Sequence, residues 1–230
     1  INMAAALRSR GLPVPQVLGY DGQESILLLE DLGRESMATQ LATDPPHRKL
    51  ERYREAIDLL VRMQKAMDVK DPACVAYQRL FDARLLDWEF LHFLEYGIEA
   101  RRGEVLDPKT RRRFVEATEA LTQILLQIPI GFVHRDYQSR NLMSKGGRYY
   151  LIDFQDALIG PYLYDLVALL RDSYASLSTE ELAILIEYFR GARASLFGRA
   201  EAAETIWRQF HLITIQRKLK DAGRFVYIER

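Results

Sequence analysis

The chain carries His134-Arg135-Asp136-Tyr137-Gln138-Ser139-Arg140-Asn141 and, shortly after, Leu151-Ile152-Asp153-Phe154. This pair of segments constrains the fold more than any other, because it sets an aspartate, an asparagine and a second aspartate around what reads as a hairpin. Gly131-Phe132-Val133 reads as a short strand entering a polar loop, and Leu142-Met143 continue as a strand. Lys145-Gly146-Gly147 is a turn, and Arg148 to Ile152 is rich in strand formers. Such a hairpin returns Asp153 to the side of Asn141, where the two can share one cation. Phosphoryl transfer asks for a set of this kind: a carboxylate at the attacking hydroxyl, and hard oxygen ligands for a metal that bridges nucleotide phosphates. Asp136 takes the first role, and Asn141 and Asp153 the second. A lone loop aspartate usually caps its own turn, but three metal-type residues at this spacing argue against coincidental caps.

Composition bounds the remaining choices. The 230 residues, 48% of them hydrophobic, can bury a substantial core as one large domain or one domain plus part of another. With 32 basic and 32 acidic side chains the net charge is zero, so no global footprint for nucleic acid or an anionic membrane exists. Cys74, the only cysteine, excludes an intrachain disulfide and reads as a small buried hydrophobe. No apolar run reaches membrane-spanning length, and the N-terminus lacks the order of a signal peptide. A soluble, cytoplasmic protein is expected, and no protein partner is evident.

The chain opens on Ile1 and contains neither a G-x-G-x-x-G loop nor a P-loop to cover phosphates. The expectation is that an upstream segment is missing. Asn2 to Arg10 reads as a helix ended by Gly11, Pro13 to Leu18 as a strand, Asp21-Gly22 as a turn, and Ser25 to Leu29 as an apolar strand in a buried sheet position. Together they read as the tail of a small N-terminal lobe. Glu30-Asp31-Leu32-Gly33 then leaves the strand as a connector. From Arg48 the chain is mostly helical. Leu50, Tyr53, Ile57, Leu60, Val61, Gln64 and Met67 keep a spacing of three or four, as a core stripe does. Further helices are expected over Phe81 to Ala100, over Pro108 to Ile128 with Asp107 as N-cap, after the capping box Ser178-Thr179-Glu180-Glu181, and over Arg199 to Ala222. Arg111-Arg112-Arg113 reads as a solvated face, and Asp165 as an N-cap or a brace before an apolar helix start. The composition breaks near Glu30 to Gly33, so residues 1–33 are expected to be the remnant of an N-terminal lobe and hinge, and residues 34–230 the catalytic and substrate-binding lobe.

The HRDYQSRN segment matches the H-R-D-x-x-x-x-N signature of protein kinases, with Asp153-Phe154-Gln155 where they carry D-F-G. The fold class expected is α+β and protein-kinase-like: a truncated small β-lobe plus a large, mainly helical lobe with a catalytic hairpin. In such a fold Glu30 to Gly33 is the hinge, where adenine bonds the Glu30 carbonyl and the Leu32 amide. The interval from Asp153 to Asp165 leaves little room for a regulatory activation segment and a peptide platform, so a small-molecule acceptor is expected.

HRDYQSRN, LIDFQDA and GPYLYDLVALLRD resemble the aminoglycoside-phosphotransferase and choline-kinase family of small-molecule kinases. With the late Q-R-x-L-K-x-x-G they are most similar to the bacterial N-acetylmuramate/N-acetylglucosamine 1-kinases, which phosphorylate an anomeric hydroxyl in cell-wall recycling. The resemblance covers about Leu12 to Phe225 and is most specific from His134 to Asp172. It implies ATP and Mg²⁺, Asp136 as catalytic base, Asn141 and Asp153 as magnesium ligands, His134 as a structural brace and Asp165 as a residue holding the loop. Asp156 is open between a second cation or the substrate and a bond to its own turn. Sugar contacts are expected from Glu89, within the aromatic stretch Trp88 to Tyr96, and from Gln216 and Arg217, within the basic cluster Gln216-Arg217-Lys218-Leu219-Lys220 that could read the lactyl carboxylate. Core packing and a solvated helix face are the plainer readings of those two segments. One departure matters: no lysine precedes the hinge, and Lys49 lies beyond it. An acceptor of the aminoglycoside or choline type, or a nucleotide-binding pseudokinase, stays open as an alternative.

Overall fold

The computed structural model describes residues 1–174 and 176–228, so the expected second unit ends, at Glu229 and Arg230, outside the described residues. Among the described residues eight α-helices and six short strands alternate unevenly: α1 (Asn2–Ser9), β1 (Val17–Asp21), β2 (Ile26–Leu29), α2 (Met37–Thr43), α3 (Lys49–Ala66), α4 (Ala83–His92), α5 (Pro108–Leu125), β3 (Ile130–Val133), β4 (Leu142–Lys145), β5 (Arg148–Leu151), β6 (Leu158–Pro161), α6 (Tyr164–Leu170), α7 (Thr179–Phe197) and α8 (Ala203–Ile228). The strands form three antiparallel pairs, β1–β2, β3–β6 and β4–β5.

Local chemistry accounts for the helix starts. The Asp107 carboxylate accepts from the Lys109 and Thr110 amides, each at 3.0 Å, with Pro108 at the first helical position. Ser178 and Glu181 close the expected capping box on α7, which ends at Gly198 with φ 74°. A second box, Ser36 with Thr39, starts α2. The Gly146-Gly147 turn takes φ 59° and 75°, a pair of left-handed positions that matches the twist of a two-residue hairpin.

One core runs through the molecule. The α3 stripe is buried at Tyr53, Ile57, Leu60, Val61, Gln64 and Met67, with Leu50 half-buried. It packs against α6 and α7. Helix α6 is buried along its whole length. Met3, Leu7, Leu12 and Val14 join this same core, and the Leu151 amide donates to the Pro13 carbonyl at 2.8 Å. The core thus draws on residues from both sides of Gly33, while the side chains of β2 are exposed.

Several expected elements shift. Pairing of the first strand begins at Val17 rather than Pro13, since Pro13 and Pro15 have no N–H to give a ladder. The strand expected in a buried sheet position is exposed at Ile26, Leu27, Leu28 and Leu29, because β1–β2 is a two-stranded ribbon with no cover on either face among the described residues. The helix expected from Phe81 starts at Ala83: the Phe81 amide donates to the Ile159 carbonyl, and Asp82 caps the Leu85 amide at 2.9 Å. It then widens into a π-helical stretch over Phe93–Ala100, where Gly97 leaves room for the Phe93 ring. Helix α8 begins at Ala203, after Glu201 has bonded the Tyr162 hydroxyl and Arg193, and runs on to Ile228. β6 has no alternating pattern and was not expected. It contains Gly160 and ends on Pro161, and it forms by pairing with β3 on one side and bridging to Leu80 on the other.

Gly223 explains why α8 tolerates a glycine in its interior. A Cβ there would stand 2.8 Å from the Phe93 Cα and 3.1 Å from the His92 carbonyl oxygen, both backbone atoms. The absent side chain lets α8 lie directly on the junction of α4 and the π-helical stretch, its most extensive packing. Gly223→Ala forces the two backbones apart and is expected to destabilise the protein by about 1–3 kcal/mol. A thermal melt lowered by several degrees checks this, and an unchanged melt would mean the helices separate freely.

Candidate active site

Strand β3 delivers the chain into the loop His134 to Asn141, which returns through a turn at Ser139–Asn141 into β4. The loop hangs on Asp165. This carboxylate is fully buried and accepts from the His134 amide at 2.7 Å and the Arg135 amide at 2.9 Å. Burial pushes its carboxyl up to about 7 against the downward pull of those two donors and of Arg217. It does not cap α6, whose first flanking residue is Leu163. Arg135 takes φ 78° and Asp153 φ 64°, left-handed conformations disfavoured for residues with a Cβ. Arg135 immediately precedes Asp136, and Asp153 is itself one of the candidate metal ligands.

Asn141 sits beside Asp153 as the hairpin reading expected. Its amide nitrogen donates to the Asp136 carbonyl at 2.8 Å and to Asp153 Oδ2 at 3.3 Å, which leaves Asn141 Oδ1 unspent. Asp153 Oδ1 accepts from Gln155 at 2.8 Å. No group of three or more His, Cys, Asp or Glu among the described residues could hold a metal by itself. The hard oxygens of Asn141 and Asp153 fit a magnesium ion that takes its remaining ligands from phosphates and water. The Asp136 carboxylate accepts no hydrogen bond among the described residues; its nearest cation is Arg217 Nη2, at 3.7 Å from Oδ1.

Asp136, Asp153 and Asp156 open onto one cavity of about 540 Å³, walled on the far side by Trp88, Lys220 and Arg224. The Asp156 carboxylate bonds neither its own turn nor any other described residue. A larger cavity of about 770 Å³ lies between α3, α7 and the β4–β5 turn and shares no residue with the site. Its size does not make it the chemical centre.

The expected sugar contacts divide. Glu89 and Arg217 line the cavity, whereas Gln216 does not. Gln216 is buried, and its amide donates to Glu89, whose other oxygen pairs with Arg135 at 3.0 Å. The expected sugar contact at Gln216 is thus replaced by a bond inside the protein, because α8 turns that side chain towards α4.

In the connector, Lys145 Nζ reaches the Glu30 carboxylate at 2.8 Å and the Asp31 carbonyl at 2.9 Å, pinning it to the hairpin. The Glu30 carbonyl and Leu32 amide form no hydrogen bond among the described residues. Two residues escaped the sequence reading: Lys145, seen only as part of a turn, and Asp172. Asp172 accepts from the Ser139 amide at 2.8 Å and hydroxyl at 2.6 Å, so it holds the far end of the loop as Asp165 holds the near end. Its signal was its place as the last residue of GPYLYDLVALLRD.

His134 is buried with no hydrogen-bond partner for either ring nitrogen among the described residues, and it packs edge-on against Tyr137 and Phe154. Burial lowers its pKa from 6.5 to about 4. A lowered value means the neutral ring contributes fully above pH 6.5 and its contribution is lost as pH falls towards 4. Proton NMR should show the His134 ring resonances unmoved from pH 8 to pH 5, while an exposed imidazole titrates near 6.5; a His134 midpoint near 6.5 would place the ring in contact with water.

A protein from Neisseria meningitidis named N-acetylmuramate/N-acetylglucosamine kinase is 37% identical over 216 residues, covering 92% of this chain and 62% of its own length. One of the same name from Pseudomonas aeruginosa is 32% identical over 231 residues, covering 99% of this chain and 65% of its own. The chain thus spans a little under two thirds of these relatives. A GDP complex of a mutant aminoglycoside 2'-phosphotransferase-IIIa shares the fold, with a TM-score of 0.64 at 13% identity over 97% of this chain and 73% of that one. The phosphotransferase enzyme family model, APH, matches residues 1–204, and the chain belongs to that family.

Proposed function

We propose that this protein is an ATP- and magnesium-dependent kinase for the anomeric hydroxyl of N-acetylmuramate and N-acetylglucosamine, acting in the cytoplasm in cell-wall recycling. The observation that carries the phosphoryl transfer is that Asp136 and Asp153 line one cavity while the Asn141 side chain bonds the Asp136 carbonyl and Asp153 Oδ2 behind them. The acceptor rests on the names of the two relatives. A small acceptor also suits the interval between Asp153 and Asp165, which is taken up by β6 pairing with β3.

Adenine would bond the Glu30 carbonyl and the Leu32 amide. Asn141 and Asp153 would hold the magnesium ion, which when bound neutralises charge on the nucleotide phosphates. Asp136 takes the proton of the sugar hydroxyl as the bond from that oxygen to the γ-phosphorus forms and the bond to the ADP oxygen breaks. An anomeric hydroxyl is more acidic than an ordinary alcohol, which eases removal of its proton. Asp156 stands free on the cavity wall for a second cation or a sugar hydroxyl, and the exposed face of Trp88 suits a sugar ring.

The test is an ATP/Mg²⁺ assay on the full-length protein with N-acetylmuramate, N-acetylglucosamine, kanamycin and choline in parallel, the products read by phosphorus NMR. A glycosyl 1-phosphate is expected; phosphate on kanamycin or choline would move the acceptor, and no product with measurable nucleotide binding would favour a binding-only protein. Asp136→Asn is expected to lower kcat by about 10²- to 10⁴-fold, the usual contribution of a general base, with nucleotide affinity unchanged. Unchanged turnover would remove Asp136 from the chemistry.

A further inference from the structure

We infer that Arg217 of α8 is a positioning residue for the catalytic loop: it holds the Arg135–Asp136 peptide in its left-handed turn and keeps the Asp136 carboxylate facing the cavity. The inference rests on the kinase reading above and concerns a residue beyond the part of the chain that the family model matches, residues 1–204.

An arginine that is 2% exposed is costly unless its charge and its donors are used. Arg217 uses them on the loop. Nη1 donates to the Arg135 carbonyl at 2.9 Å, and Nη2 lies 3.7 Å from Asp136 Oδ1. Nε is 3.9 Å from Asp221, and the guanidinium lies over the Tyr164 ring at 5.1 Å. Tyr164 immediately precedes Asp165, so the plane that supports the guanidinium belongs to the helix that anchors the loop from the other side.

Arg135 is consequently held at every group it has. Asp165 on α6 takes its N–H, Arg217 on α8 takes its carbonyl, and Glu89 on α4 takes its side chain while being held by Gln216 of α8. Its φ of 78° is one that persists where the surroundings over-determine it. Asp165 alone fixes the amides that enter the turn and says nothing about the carbonyl that leaves it. Arg217 supplies that second point, and the direction of the next residue, Asp136, follows from it. A guanidinium spent in this way is poorly placed to read a carboxylate on the sugar.

The experiment compares Arg217→Met and Arg217→Lys with wild type in the full-length protein. It measures kcat and KM for both amino sugars, the nucleotide Kd and a thermal melt. In folded R217M, kcat is expected to fall about 10²-fold, the scale of a misplaced catalytic group, with nucleotide Kd unchanged and an equal loss for both sugars. R217K is expected to recover part of kcat, since an ammonium can reach the Arg135 carbonyl but cannot form the planar fork. If R217M does not fold, R217K carries the test through a kcat still below wild type. Wild-type kcat in either folded variant overturns the inference. A loss confined to KM for N-acetylmuramate also overturns it, by showing that Arg217 reads the lactyl carboxylate. A wild-type protein inactive with every acceptor overturns the kinase reading and the inference with it, whereas an active wild type with indifferent variants overturns the inference alone.

Discussion

The pair of hydrogen bonds from the His134 and Arg135 amides to Asp165 is the interaction on which the remainder of the site depends. Asp165 is carried on α6, whose neighbours Leu166, Val167, Leu169 and Leu170 are buried in the core. Desolvating a carboxylate in such surroundings is expensive unless donors are fixed around it. Two amides that β3 presents at its end supply those donors. The apolar packing of α6 thereby becomes a rigid mount for a polar loop, and the position of the loop is set by the core and not by its own sequence.

From that mount the geometry passes along the chain. Asp172, at the far end of the same motif, holds Ser139, so the loop between Asp136 and Asn141 is fixed at both ends. The Asn141 side chain then ties the Asp136 carbonyl to Asp153 across the β4–β5 hairpin. The left-handed residues Arg135 and Asp153 mark where the backbone is bent to bring these groups together. Bends of this kind cost stability at each position. At Arg135 the bend persists because partners on α4, α6 and α8 hold it, and at Asp153 the carboxylate is held by Asn141 and Gln155.

Much of this was legible in the sequence, for reasons that differ by element. The catalytic hairpin could be read because Gly146-Gly147 fixes a two-residue turn, and a fixed turn fixes register. The starts of α5 and α7 could be read because Asp107 and Ser178 are caps whose chemistry is local. The α3 stripe was visible as a helical period. What escaped reading depends on distant partners. β6 exists against β3 and the segment around Leu80, both distant in sequence, and the exposure of Ile26 to Leu29 follows from the absence of a covering layer in the described residues, which no local pattern records. Gln216 and Arg217 were expected as sugar contacts, but whether they face the cavity or the loop is decided by how α8 crosses α4, where Gly223 lets the backbones meet. His134 was expected as a brace, yet its lack of a polar partner depends on the rings of Tyr137 and Phe154 around it.

The central claim is that Asn141 and Asp153 hold the metal that accompanies the nucleotide. Electron paramagnetic resonance of Mn²⁺ titrated with ATP into the full-length protein tests it most directly, with Asp153→Ala measured beside wild type. The account predicts a nucleotide-dependent bound Mn²⁺ signal in wild type that is lost in a folded Asp153→Ala protein. An equal bound signal in both proteins would place the metal elsewhere and contradict the account.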